Sequence, residues 1–173
     1  MSIARTLATL RKNNMEAAFV PTAQDVVPLL MTMLEEGNSI ALGGSVTLVE
    51  TGALKHVKSS AYRLIDRYEA SLTPEQRIER YKEAFSADVF LTSVNAITEH
   101  GELYLVDGTS NRVAPMLFGP KKVIIIAGWQ KIVPSLREAV DRVKQIAGPA
   151  NAMRLSKDTP CVRSGKCIAP HCD

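Results

Sequence analysis

The sequence predicts an α/β fold with a mostly parallel sheet and flanking helices. Three observations carry that prediction. Short apolar runs alternate along the chain with stretches of helical periodicity. Two of those runs, "NSIALGG" and "KKVIIIAG", show little polar alternation, as strands buried on both faces do. At 173 residues the chain fits one domain that buries a real core.

Taken in order, residues 3–13 read as a short amphipathic helix with Leu7 and Leu10 on one face. Residues 15–20, "MEAAFV", read as a strand closed by Pro21. Thr22 is a good N-cap for a helix to about Glu36, stopped by Gly37. Pro28 inside it predicts a kink or a later start. "NSIALGG" is the next strand, and Ser45 caps a helix to about Lys58. "YRLID" is a further strand. "TPEQRIERYKEAFSA" is a strong helix, with Thr73 as N-cap, Pro74 at the first position and Glu75 in the first turn. "DVFLTS" and "ELYLVD" read as strands, "RVAPMLFG" as a short helix and "KKVIIIAG" as the most buried strand. "VPSLREAVDRVKQIA" is a helix with Leu136, Val140, Val143 and Ile146 near helical spacing and Gly148 as its stop. Composition shifts near Pro149, which divides the chain into an α/β domain, 1–150, and a Cys-containing tail, 151–173.

Composition narrows the function. The chain is 46% hydrophobic and 23% charged, as soluble globular proteins are. A net charge of +3, with no Lys/Arg run interleaved with aromatics, argues against nucleic acid or anionic membrane as partner. The longest apolar run, 123–128, is far short of a membrane span, and no continuous signal-peptide core follows the early basic residues. The expected location is the cytoplasm.

Three stretches hold candidate chemistry. The first is "GGSVT". Gly43 and Gly44 would let a ligand approach the backbone, and a following helix N-terminus would offer unpaired N–H groups. Ser45 and Thr47 add hydroxyls. Together they would suit a phosphate or carboxylate; the alternative is a tight turn with a Ser cap. The pattern is neither a P-loop nor GxGxxG.

The second is residues 93–112. If "DVFLTS" is a strand, Asn95, Thr98 and Glu99 follow its carboxyl end, where such sheets bind ligands. Arg112 could clamp a carboxylate, and Glu99 could act as general acid or base; Asp107 and Asn111 lie in the same dense stretch. The plain alternative makes Glu99-His100-Gly101 a hairpin turn and Asp107-Gly108 another. Asp66 and Arg67 read as an ion pair or a strand-end contact.

The third is the tail. Cys161, Cys167 and Cys172 all lie in the last thirteen residues, with His171 beside the last. An odd, clustered set is a poor disulfide framework. Thiolates would suit zinc or an iron–sulfur cluster, although the spacing matches neither zinc knuckles nor ferredoxin runs. A tail with reduced thiols is the alternative.

Together "GGSVTLVETGAL", "LIDRY", the run 84–133 from "AFSADVFLTSVNAITEHGELYLVDGTSNRV" to "WQKIV", and "NAMRL…TPC…GKC" resemble the lactate-utilisation (LUD) domain family, including the C subunits of lactate-utilisation complexes. The resemblance implies a fold similar to glucosamine-phosphate deaminase, ribose-phosphate isomerase and the CoA transferases. It implies an anion cradle at Gly43, Gly44, Ser45 and Thr47, faced by Asn95, Thr98, Glu99, Asp107, Gly108, Asn111 and Arg112. One departure is that Pro170 stands where a Cys-x-x-Cys partner of Cys167 would be.

The function this implies is binding of a small anionic metabolite in L-lactate or 2-hydroxy-acid utilisation, beside iron–sulfur partner subunits. One alternative is a free-standing isomerase or CoA-transferase-like enzyme with Glu99 as acid/base or nucleophile. Another is a metal or redox sensor using the tail. A homodimer is the general expectation for a soluble oligomer.

Overall fold

The computed structural model of the chain describes residues 2–59 and 62–168. It is an α/β structure that divides into two compact units. One comprises residues 19–94 and 107–128; the other comprises 2–18, 95–106 and 129–168.

The strands in chain order are β1 (Ser39–Leu42), β2 (Arg63–Ile65), β3 (Val89–Thr92), β4 (Ala96–Thr98), β5 (Leu103–Tyr104), β6 (Lys122–Ile125) and β7 (Ile132–Val133). The α-helices are α1 (Ile3–Lys12), α2 (Val26–Met31), α3 (Val46–Glu50), α4 (Ala53–Ser59), α5 (Pro74–Glu83), α6 (Val113–Leu117), α7 (Leu136–Arg142), α8 (Gly148–Arg154) and α9 (Pro160–Ser164).

In the first unit, β2, β1, β3 and β6 form an all-parallel sheet in that order. Helices α2 to α6 belong to this unit. The central strands β1 and β3 are buried at every position, as their unbroken apolar runs require. One core gathers Leu30, Ile40, Leu42, Leu48, Val57 and Leu91. A second gathers Ala41, Ile65, Ala84, Ala87 and Phe90. The alternate residues of β1 thus point into different cores, as the two-residue period of a strand dictates.

The order also contains the feature beside which sheets of this kind bind ligands. The chain leaves β1 for β2 on one side and returns to β3 on the other. The β1/β3 boundary is therefore a topological switch point, and crevices of such sheets open at its carboxyl edge.

In the second unit, β4 pairs antiparallel with β5 and parallel with β7. Ala96, Val133 and Ala139 form its small core, with Tyr104 packed against it.

Several elements differ from the sequence reading. Residues 15–20 join no ladder; the Ala17 carbonyl is taken instead by Arg11 Nε and Nη2, at 3.1 and 2.7 Å. The helix after Thr22 begins as a 3-10 turn, Ala23–Asp25, so the later start expected from Pro28 is what occurs. It ends at Met31, short of Glu36. The helix from Ser45 is interrupted at Gly52, whose φ of +75° no α-helix accommodates, giving α3 and α4. β6 is an edge strand of the sheet and only half-buried, not the most buried strand. Gly148 does not stop a helix. α7 passes through a π-turn, Val143–Ala147, and Gly148 opens α8 with Pro149 behind it. Leu136 and Ile146 are exposed, and Ala139 and Val143 form the buried face instead.

Candidate functional site

Four strand ends converge on the carboxyl edge of the parallel sheet. β1 ends at Leu42 and runs into Gly43 and Gly44. Gly43 N–H continues the ladder, donating to the Leu91 carbonyl at 2.9 Å. On the next strand, Thr92 closes β3 and its carbonyl accepts from Ile126 N–H at 2.9 Å. β2 ends at Ile65 and is followed by Asp66, Arg67 and Tyr68.

Close approach explains the two glycines. A Cβ on Gly43 would stand 2.1 Å from Thr92 Oγ1 and 3.1 Å from Arg112 Cγ. A Cβ on Gly44 would stand 2.6 Å from Tyr68 Oη and 2.9 Å from Arg67 Nη2. Both distances to Gly44 are shorter than real Cβ contacts, so its bare Cα is part of the surface on which those polar atoms close.

Ser45 is the N-cap of α3 with extended backbone, and its side chain makes no capping hydrogen bond. Thr47 is buried in the first turn, where its carbonyl accepts the Thr51 hydroxyl at 2.8 Å. With five residues, α3 carries far less macrodipole than the long helix expected from sequence. An anion at this corner would therefore be held by side chains rather than by a helix end.

Two arginines meet the corner. Arg112 is held by Asp107: Nε and Nη2 lie 2.9 and 2.8 Å from Oδ1, while the Arg112 and Val113 N–H groups donate to Oδ2 at 2.9 Å each. Asp107 thus ties down the start of α6 and neutralises Arg112, whose stem passes over Gly43. Gly108 has open space around its Cα, and Asn111 is half-buried in the turn before α6.

Arg67 is the second. It forms no ion pair with Asp66, contrary to one of the sequence expectations; Asp66 instead meets Lys58 Nζ at 2.8 Å and accepts the Tyr68 N–H at 2.8 Å. Arg67 does make the strand-end contact that was the other expectation. Its guanidinium carbon lies 4.9 Å from the Tyr68 ring centroid and 5.3 Å from that of Tyr81. Sequence reasoning did not single it out as a site residue. The available signal was "DRY" directly after a strand that neighbours the Gly-Gly strand.

The remaining site candidates belong to the other unit. Asn95 Oδ1 accepts from Val106 N–H at 3.0 Å, and its own N–H donates to the Tyr104 carbonyl at 3.1 Å. Thr98 is fully buried; its hydroxyl donates to Glu102 Oε2 at 2.6 Å and accepts from Glu102 N–H at 3.1 Å. These contacts close the β4–β5 hairpin, with Gly101 in the left-handed region at φ +81°, so residues 99–101 lie in a hairpin turn. Glu99 Oε1 accepts the Ser2 N–H at 2.9 Å, and Oε2 lies 3.6 Å from Arg5 Nη1.

In the tail, Cys161 and Cys167 are half-buried, and Cys161 Sγ lies 3.2 Å from Thr159 Oγ1. Cys172 and His171 fall outside the described residues. Among the described residues no three His, Cys, Asp or Glu side chains are grouped to hold a metal ion. Two thiols alone do not complete a tetrahedral site. No described helix is long and apolar enough to cross a membrane.

These features define a parallel α/β protein with a glycine-lined, arginine-flanked corner at the switch point of its sheet. The chain belongs to the LUD domain family, whose match spans residues 3–173. No curated protein and no solved structure matches it.

Proposed function

We propose that this chain binds a small anionic metabolite at the Gly43–Gly44 corner. It would serve the utilisation of L-lactate or a related 2-hydroxy acid, the process with which the family is linked, beside iron–sulfur partner proteins. The observation that carries the reading is the approach of Arg67 Nη2 to within 2.9 Å of the position a Gly44 Cβ would occupy. A cation, a bare Cα and the carboxyl edge of a parallel sheet together favour a negatively charged oxygen group.

Gly43, Gly44 and Ser45 line this corner in the reading, with Thr47 beneath it and Asp107, Gly108, Asn111 and Arg112 forming its loop wall. Asn95 and Thr98 are held within the β4–β5 hairpin of the other unit. Cys161, Cys167 and Cys172 are the groups that would face a partner's cluster or help ligate it.

The test is calorimetric titration of the purified chain with L-lactate and with inorganic phosphate, repeated on Gly44→Ala. The added methyl meets the tips of two flexible side chains, so the fold should survive while the corner closes. Binding in the parent and a loss of about tenfold or more in the variant is the expected result. Equal affinity in both would place the ligand elsewhere.

A further inference from the structure

One cation beside the corner has hydrogen-bonding capacity that the fold does not use. Arg67 Nη2 donates to Tyr68 Oη at 2.8 Å. Its Nε and Nη1 are buried and have no partner among the described residues. Native structures seldom leave a buried charged donor unpaired, because the lost hydration is not replaced. The neighbouring charges are already matched: Lys58 by Asp66 and Arg112 by Asp107. Among the described residues, Arg67 has no carboxylate partner.

The position of the Tyr68 hydroxyl is informative. It lies within hydrogen-bonding distance of Arg67 Nη2, and it lies 2.6 Å from where a Gly44 Cβ would be. The hydroxyl oxygen, Nη2 and the Gly44 Cβ position thus form a triangle with sides of 2.6 to 2.9 Å, so a neutral oxygen sits beside the bare Cα on a guanidinium donor. Tyr68 is 48% exposed, so its ring can leave that space without opening either core.

We propose that Arg67 is the carboxylate-binding cation of the corner and that the Tyr68 hydroxyl holds the ligand oxygen's place until the carboxylate displaces it. The inference rests on the anion-binding reading above and names the charged group within it. The exchange is favourable in kind, since a charge-assisted hydrogen bond is roughly twice as strong as a neutral one. Tyr68 engages one of the two Nη2 protons, so its departure restores a full two-donor edge. A flat carboxylate meets such an edge in the guanidinium plane. A tetrahedral phosphate would also project oxygens out of that plane, toward the Tyr81 ring, whose centroid lies 5.3 Å from the guanidinium carbon.

The test titrates the full chain with L-lactate and, separately, with inorganic phosphate, comparing Arg67→Gln, Arg67→Lys and Tyr68→Phe with the parent. L-lactate should bind the parent more tightly than phosphate. Arg67→Gln should weaken it by about tenfold or more, and Arg67→Lys, which keeps the charge but not the fork, should weaken it by less. Tyr68→Phe keeps the ring and removes the competing oxygen, so its affinity should equal or exceed the parent's. Unchanged affinity in Arg67→Gln, with Gly44→Ala still impaired, overturns this inference and spares the corner. A parent that binds neither anion overturns both. Preference for phosphate overturns the carboxylate assignment. Weakened binding in Tyr68→Phe overturns the place-holding role, and that variant retains the buried cation, so it decides the matter even if Arg67→Gln fails to fold.

Discussion

Thr92 Oγ1 stands 2.1 Å from where a Cβ on Gly43 would lie, and Thr92 Cβ stands 2.7 Å away. The two residues end neighbouring central strands, and Thr92 is fully buried with no room to retreat. Gly43→Ala should therefore destabilise the protein by about 1–3 kcal/mol, the usual cost of overpacking. Gly44→Ala should cost less, because the atoms it meets are side-chain tips. Urea unfolding of the two variants measures the difference; equal losses would mean that the β1/β3 edge yields more easily than its packing suggests.

Asp107 and Arg112 make a second self-contained unit. Both side chains are nearly buried, at 10% and 12% exposure, and three hydrogen bonds and an ion-pair contact join Asp107 to the start of α6. Removing the carboxylate leaves a guanidinium with little water. Asp107→Asn should cost about 3 kcal/mol, the scale for breaking a largely buried pair. Amide exchange should rise first at residues 107–113. A variant whose loss is spread evenly over the chain would show that Asp107 does not act through this loop.

Much of the fold could be read from the sequence because periodicity and caps are local signals. Thr73 caps α5 as its "TPEQ" run announces, accepting from Gln76 N–H while its own N–H meets Gln76 Oε1 at 2.8 Å. The strands "SIAL" and "VFLT" are buried throughout, as their lack of alternation implies. What escaped notice depends on partners distant in sequence. "KVII" has the composition of a central strand, yet strand order alone puts it on the edge. Of the site, the Gly-Gly corner was legible from two adjacent glycines after an apolar run. Arg67 was not, because whether an Arg next to an Asp pairs with it depends on Lys58, and Lys58 meets Asp66 only once α4 and β2 are in place.

Glu99 offers a direct contrast between structural and chemical roles. Its carboxylate receives the Ser2 N–H and faces Arg5, and its backbone carbonyl accepts the Thr9 hydroxyl at 2.9 Å. All three contacts hold α1 to the β4–β5 turn. Glu99→Gln weakens the charged contact and should raise amide exchange across residues 3–12. The loss in global stability should be under about 1 kcal/mol, because Arg5 is more than half exposed. Anion binding at the Gly43–Gly44 corner should be unaffected. Lost turnover with α1 protection intact would instead make Glu99 an acid or base.

The sheet also carries an acid-sensitive tie. Asp88 precedes β3, and its Oδ2 accepts from Ser39 N–H at 2.8 Å and from Ser39 Oγ at 2.7 Å, joining the starts of β1 and β3. Its Oδ1 lies 2.8 Å from Lys121 Nζ. The Lys121 ammonium, followed by the two Ser39 donors, holds this carboxyl well below the usual carboxylate range. A folded-state value below the unfolded one means that the tie contributes fully above the unfolded value of about 4. Its contribution is lost as pH falls from there through the lower folded-state value. The parent should accordingly be more resistant to urea than Asp88→Asn near neutrality, and the gap should close as pH drops from about 4 toward 2. Lys121→Met should reproduce part of the effect, since it removes the largest cause of the shift and leaves the Ser39 donors. A gap that stays constant from pH 7 to 2 would mean that Asp88 holds β1 and β3 together through shape and neutral hydrogen bonds, with its charge contributing nothing.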